Sequence, residues 1–126
     1  MSNQSEIART DHLQRIAACV QELVQAGCEP TPFMRAAMLD DDMKPKTVGD
    51  MYREPAIAVT KAWFAEKVVP WFEVSTGQNV YLPKWYSAPK EFQGSLGDLR
   101  FYNPDPTEAF VQCLEALVLA VAGEVG

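Results

Sequence analysis

The segment that most constrains the fold lies at residues 105–123, where the signals of a buried amphipathic helix occur in order. Asp105 stands at the N-cap, Pro106 at the first helical position and Glu108 at the third, a combination that satisfies the free backbone amides of a first turn. Apolar residues then recur at spacings of three and four, and Gly123 follows the last of them. These stripe residues are Phe110, Val111, Leu114, Leu117, Val118 and Val121.

The second half of this predicted helix is apolar on every side, because alanines and Leu119 fill the gaps in the stripe. A helix that is apolar all round must be covered all round. We therefore predict that Leu119 is buried, either by another element or by another chain, which makes it a candidate interaction residue in a homodimer. The residues predicted to pack against a sheet are Phe110, Leu114, Leu117, Val118 and Val121.

A second amphipathic helix is predicted from Ser5 or Thr10 to Ala26, and Gly27 stands where a left-handed residue commonly ends a helix. Its apolar residues recur with the same period of about 3.6. They are Leu13, Ile16, Ala17, Val20, Leu23 and Val24. The first and last helices are the natural covers of a sheet, both on one side or one on each side.

Shorter helices are predicted between these two. Thr31 as N-cap with Pro32 after it predicts about two turns over residues 33–39. Residues 47–50 resemble a capping box with Asp in place of Glu and predict a single turn. Residues 56–69 are predicted as a buried helix, although their β-branched first part leaves a strand open as the alternative.

Three short aromatic and β-branched runs predict strands at residues 71–74, 80–82 and 99–102, with Pro70 closing the preceding helix. The first two runs are separated by a Gly-containing connection and are predicted to form a hairpin. Residues 83–93 contain two prolines and are predicted to be irregular. The pattern predicts an α+β fold, with a small antiparallel sheet of about three strands packed against N- and C-terminal amphipathic helices.

The length of 126 residues and the 48% hydrophobic content fit one domain, residues 1–126. The 17 acidic residues exceed the 11 basic ones, and residues 91–126 hold six acidic side chains against Arg100 alone. Binding to duplex nucleic acid through a basic patch is therefore disfavoured. The polar start and the shortness of the longest apolar run, residues 116–123, predict a soluble cytoplasmic protein without a secretory signal or membrane span.

Cys19, Cys28 and Cys113 form no Cys-x-x-Cys pair, and His12 is the single histidine. We predict reduced, mostly buried thiols and no metal site or cofactor. Phosphate-binding loops, Gly-x-Ser-x-Gly and His-Glu-x-x-His are all absent from the sequence, which lowers the expectation of an enzyme. A catalytic site assembled from distant residues remains open.

Three local features are candidates for chemistry. His12 could act as a general base, but it has no nucleophile near it in sequence. The run at residues 40–42 lacks the alternate spacing and glycine turn of a calcium loop, which favours a solvated charge run. Residues 84–90 interleave lysines with Trp85 and Tyr86, which could stack on bases but more readily serve as a packing anchor or a protein-contact patch.

The segment from Asn103 to Leu117, with its Asn-Pro-Asp-Pro-Thr-Glu start and Cys-Leu-Glu-Ala-Leu end, resembles the close of many small phage and prophage accessory proteins. In these proteins a short antiparallel sheet is followed by a helix with a Pro/Asp cap. The resemblance implies a binding role and carries over no functional residue.

Three functions stay open from the sequence. The first is a non-enzymatic accessory protein that acts through a protein–protein surface, with Trp85, Tyr86 and Leu119 as candidate contacts and a homodimer as one form. The second is an acidic mimic of nucleic acid that inhibits a host defence or regulatory protein, which needs carboxylates spread over one face. The third is a small enzyme or nucleotide binder that gathers His12, Asp40 or Trp85 in a cleft.

Overall fold

A computed structural model describes residues 4–51 and 55–125 of the chain. Its helices are α1 Gln4–Gln25, α2 Pro32–Met38, α3 Val48–Met51, α4 Ala56–Trp63, α5 Val69–Thr76 and α6 Pro106–Val125, and its strands are β1 Val80–Tyr86, β2 Glu91–Leu96 and β3 Leu99–Asn103. The strands form one antiparallel sheet in the order β1-β2-β3. The predicted α+β fold with terminal helices and a three-stranded sheet is confirmed.

The N-terminal caps predicted from the sequence are present at three of the helices. The Met34 amide donates to Thr31 Oγ1, the Asp50 amide to Thr47 Oγ1 and the Thr107 amide to Asp105 Oδ1. Gly27 has a φ of +108° and ends α1 as expected, whereas α6 continues past the predicted stop at Gly123 to Val125. The short polar side chain at each N-cap satisfies an amide that has no partner within the helix.

The core lies between the sheet and the helices, with α6 in contact with all three strands and with α1. Phe110, Leu114 and Leu117 are buried as predicted. Val118 and Val121 were also predicted to pack against the sheet, but they are only partly buried and instead line a groove together with the C-terminal end of α1. The sheet covers one side of α6 and α1 covers another, so these two contacts account for most of its apolar stripe.

The prediction that another element of the chain buries Leu119 is wrong, because 73% of its surface is exposed. The sheet and α1 together do not extend round to this side of α6, and the neighbouring small alanines leave little apolar area to bury there. Burial by another chain stays a prediction.

By length and composition alone α6 is also the one helix among the described residues that could cross a membrane, a property shared by core helices of soluble proteins.

The strand predicted at residues 71–74 is wrong, because these residues lie within α5. Helix α4 does not stop at Pro70 but passes through a π-helical turn, Phe64–Val68, in which the Val69 amide donates to the Phe64 carbonyl. The π turn shifts the hydrogen-bond register, so Pro70 falls in the first turn of α5, where a backbone N–H is not needed. The predicted helix over residues 56–69 is thereby confirmed, and the strand alternative is wrong.

The predicted hairpin is also misplaced along the chain. Residues 83–86 belong to β1 and residues 91–93 to β2, so most of the stretch predicted to be irregular forms the β1–β2 hairpin. The register of this pairing shifts between Tyr81 and Lys84, where a bulge accommodates Pro83. A bulge lets a strand carry proline without breaking the ladder on either side of it.

Helices α1 and α6 run parallel, and their facing polar sides are joined by Arg15. Its guanidinium donates to both carboxylate oxygens of Glu108 and to both of Glu115, at distances from 2.7 to 3.1 Å. His12, only 8% exposed, lies with Nε2 3.1 Å from Glu108 Oε1. Two bidentate pairs to one arginine hold the helices in register more firmly than single surface ion pairs would.

This cluster predicts a pH dependence of stability. The hydrogen bonds from Arg15, and to a smaller extent those from Gln112 and His12, lower the pKa of Glu108 from an ordinary 4.5 to about 2, against the opposing effect of desolvation. A carboxyl whose pKa is depressed by folding adds stability above its unfolded pKa, and this stability is lost as the pH falls through the folded pKa. Wild-type protein should therefore lose melting temperature between pH 4.5 and 2 more steeply than Glu108→Gln. Equal pH slopes for the two proteins would contradict the assignment, and Glu66→Gln, at an exposed position, is the matched control.

Candidate binding site on the open face of the sheet

The sheet has one covered face and one face that no described helix covers. Val80, Gly94, Leu96 and Phe101 are buried and belong to the face on which α6 packs. The residues between them belong to the other face, because side chains alternate along a strand. We call this other surface the open face. Its residues are Tyr81, Lys84, Tyr86, Gln93, Ser95, Arg100 and Tyr102, which line a trough, and Glu91, which pairs with Tyr86 at one end.

The pairing register arranges the open face in two rows across the strands. One row is Tyr81, Ser95 and Arg100, and the next is Lys84, Gln93 and Tyr102. Each row has a smaller residue on the central strand and a longer one on each outer strand. The result is a trough along β2 with a volume of about 400 Å³, and in each row one wall is a tyrosine while the opposite wall is a cation.

The bulge in β1 brings Tyr81 and Tyr86 to the same face. Without it, two residues five positions apart would point to opposite faces of the sheet. Gly94 on β2 lies directly beneath this bulge, and a Cβ atom there would stand 2.8 Å from the Tyr81 carbonyl oxygen and 3.0 Å from the Pro83 nitrogen. Glycine at 94 therefore permits the close backbone approach on which the shape of the trough depends.

The chemistry of the open face combines aromatic area with hydrogen-bonding groups. Tyr81, Tyr86 and Tyr102 expose 64%, 46% and 50% of their surfaces, an unusual amount for aromatic residues that share one face. Lys84 and Arg100 add two positive charges and Glu91 at the end of the face adds one negative charge, in a chain whose net charge is −6. Such a surface can pack against planar or apolar groups and pair with carboxylates.

The structure separates the three residues predicted from the sequence as contacts. Tyr86 belongs to the open face. Trp85 packs on Phe92 with ring centroids 5.2 Å apart, and both residues belong to the covered side of the sheet, although Trp85 stays 52% exposed. Leu119 lies on α6. Sequence reasoning missed Tyr81, Gln93, Arg100 and Tyr102. For Arg100 and Tyr102 the available signal was their alternate spacing along β3.

The candidates for a catalytic or metal site do not come together in the described residues. His12 bonds to Glu108 between α1 and α6. Asp40 Oδ1 accepts hydrogen bonds from the amides of Asp42 and Lys44, which uses this carboxylate in a turn. Trp85 lies on the sheet. Within residues 4–51 and 55–125, no group of three or more His, Cys, Asp or Glu side chains is placed to hold a metal ion.

The three cysteines are buried and unpaired, as the sequence predicted. Desolvation raises the pKa of the thiols of Cys19 and Cys113 to about 12 and that of Cys28 to about 11. A thiol reacts through its thiolate form, so all three are unreactive near neutral pH. They are packing residues in this fold.

The acidic residues of the last part of the chain are divided among different surroundings. Glu108 and Glu115 pair with Arg15 against α1, whereas Glu91 is on β2 and Asp98 is in the β2–β3 turn. Mimicry of duplex nucleic acid needs unpaired carboxylates in a continuous row. This distribution does not favour the acidic-mimic hypothesis.

The open face therefore combines exposed aromatic side chains, positive charge and a concave shape. Comparisons of the chain with protein-family models, with curated proteins and with solved structures found no match.

Proposed function

We propose that this protein is a non-enzymatic accessory protein that binds a protein partner through the open face of its sheet. The observation that carries the proposal is the set of Tyr81, Tyr86 and Tyr102 beside Lys84 and Arg100 on a face that no described element covers. Tyrosine and arginine are enriched among the few residues that dominate protein–protein binding energies. The phage and prophage resemblance of residues 103–117 supports an accessory role of the same kind.

A protein partner fits this surface better than a nucleic acid. The electrostatic affinity for a nucleic acid comes from Lys and Arg side chains that neutralise phosphates, and the open face offers only Lys84 and Arg100, within a chain whose net charge is −6. Aromatic stacking on bases would still be available, but the long-range field of the protein repels a polyanion. A partner surface with apolar side chains and one or two carboxylates would use the tyrosines and both cations.

We expect the double variant Tyr81→Ser/Tyr102→Ser to lose the partner and remain folded, because both side chains are exposed. Immobilised wild-type protein would be used to capture proteins from the source cell, with quantification by mass spectrometry. A hot-spot residue contributes about 2 kcal/mol or more, so the loss of two should lower capture at least roughly tenfold. The matched control is Phe33→Ser/Val74→Ser, which removes two exposed apolar side chains elsewhere, at 79% and 87% exposure, and should leave capture unchanged.

Two results would count against the proposal. Capture that survives the open-face variant but fails in the control would place the interface elsewhere. Capture that disappears after nuclease treatment would identify a nucleic acid as the partner.

A further inference from the structure

The two edges of the sheet differ in how they are protected. Edge strand β1 carries Pro83 and a bulge, two devices that prevent another strand from pairing with it. Edge strand β3 has an unbroken register with β2 over Leu99–Asn103 and contains neither device. Among the described residues no strand pairs with its outer edge. An unprotected edge is a template for a further strand.

The turn between β2 and β3 determines which backbone groups of β3 face outward. Gly97, with a φ of +59°, and Asp98 form a two-residue turn between the paired Leu96 and Leu99. In such a hairpin the closing pair is hydrogen-bonded, and hydrogen-bonded pairs then alternate along the ladder. The N–H and C=O groups of Arg100 and Tyr102 therefore point away from β2, and both side chains lie exposed on the open face.

We infer that β3 pairs with β3 of a second copy, antiparallel and with Phe101 at the two-fold axis, to form a six-stranded sheet. This inference goes beyond the proposed function and does not depend on the partner. Arg100 would lie opposite Tyr102 of the second copy, and Tyr102 opposite its Arg100, so that each guanidinium packs on a tyrosine ring. The open faces of the two copies would become one continuous surface, to which each copy contributes side chains at the junction.

The neighbouring registers are less favourable for definite reasons. A register centred on Arg100 would place two arginines directly opposite each other, and the repulsion between their like charges would destabilise the pairing. A register centred on Tyr102 would bring Pro104 to a hydrogen-bonding position, where it has no N–H to donate. The register centred on Phe101 avoids both and pairs the full length of the strand. The interface is small and belongs to the weak class of associations.

Engineered cysteines test the register directly, since the three native cysteines are buried. In the proposed register residue 100 of one copy lies about 5.5 Å from residue 102 of the other, within disulfide range. Residue 100 would lie about 8 Å from residue 100 of the other copy, and residue 102 equally far from its counterpart, beyond that range. We expect an equimolar mixture of Arg100→Cys and Tyr102→Cys to form crosslinked dimers with roughly tenfold higher yield than either variant alone under the same mild oxidation.

The mixture of Lys84→Cys with Tyr102→Cys is the control for random collision, because Lys84 lies on the bulged edge strand. Crosslinking no better than this control, or self-crosslinking of Arg100→Cys at an equal yield, would overturn the inference. The pair should also crosslink in a Leu119→Glu background, and loss of crosslinking there would move the interface to α6.

Hydrogen exchange on the unmodified protein gives a second measurement. The amides of Arg100 and Tyr102 should become protected as the protein concentration rises, and exchange independent of concentration would overturn the inference.

Discussion

Leu114→Ala should lower the free energy of unfolding by about 2–5 kcal/mol, the range found when a large aliphatic side chain is removed from a packed core. Leu114 is completely buried in α6, in the layer between the sheet and α1. The substitution removes three heavy atoms from a site that the rigid sheet cannot collapse to fill. For a domain of this size the loss is a large fraction of the whole stability.

Urea denaturation followed by circular dichroism measures this effect, with Leu119→Ala as the matched control in the same helix. Leu119 is 73% exposed, so its truncation should change the stability by less than about 0.5 kcal/mol. A loss of several kcal/mol from the Leu119 variant would mean that a second chain covers this position. Equal small effects from both would contradict the placement of Leu114.

Gly94→Ala should cost about 1–3 kcal/mol, although alanine is normally better tolerated than glycine in a strand. The new Cβ would stand 2.8 Å from the Tyr81 carbonyl oxygen, which is a backbone atom and cannot rotate away. Strands β1 and β2 would have to separate at the bulge, and the trough of the open face would change shape with them. Partner capture should therefore fall together with the melting temperature.

The control for Gly94→Ala is Gly123→Ala in α6, where an added Cβ meets no atom within 4 Å. Replacing a glycine by alanine raises the stability of a helix by about 0.5–1 kcal/mol in the interior, and by a smaller amount of the same sign at Gly123, which lies in the last turn of α6. Opposite signs for the two alanines, measured by thermal denaturation, would confirm that the cost at 94 comes from backbone contact. A stabilised Gly94→Ala protein would show that the two strands are not so close.

Helices α1 and α6 could be predicted from the sequence because their stripes and caps are local signals that the tertiary structure reinforces. Residues 71–74 could not, since aromatic and β-branched residues after a proline are typical of a strand. The overlooked signal was the spacing of Phe64, Val68 and Phe72, which recur every four residues across Pro70 and are all buried. Helical packing against the core overrode the local β preference.

The open face could be predicted only in part. Period-two alternation identifies residues that share a face of a strand, and it places Arg100 and Tyr102 together. It fails in β1, because the bulge between Tyr81 and Lys84 reverses the alternation and no sequence rule fixes the site of a bulge. Trp85 and Tyr86 were predicted as one patch because residues 83–93 were predicted to be irregular, whereas both lie in β1, where adjacent side chains point to opposite faces.

The ion pairs between α1 and α6 join residues about a hundred positions apart, Arg15 with Glu115. The three strands, by contrast, are consecutive and close through short turns. Contacts that close long loops form late, whereas local hairpins form early. During synthesis on a ribosome the part of α1 that packs against α6 therefore stays exposed until α6 has emerged. A chaperone that protects this surface of α1 would therefore be released only when α6 arrives to cover it.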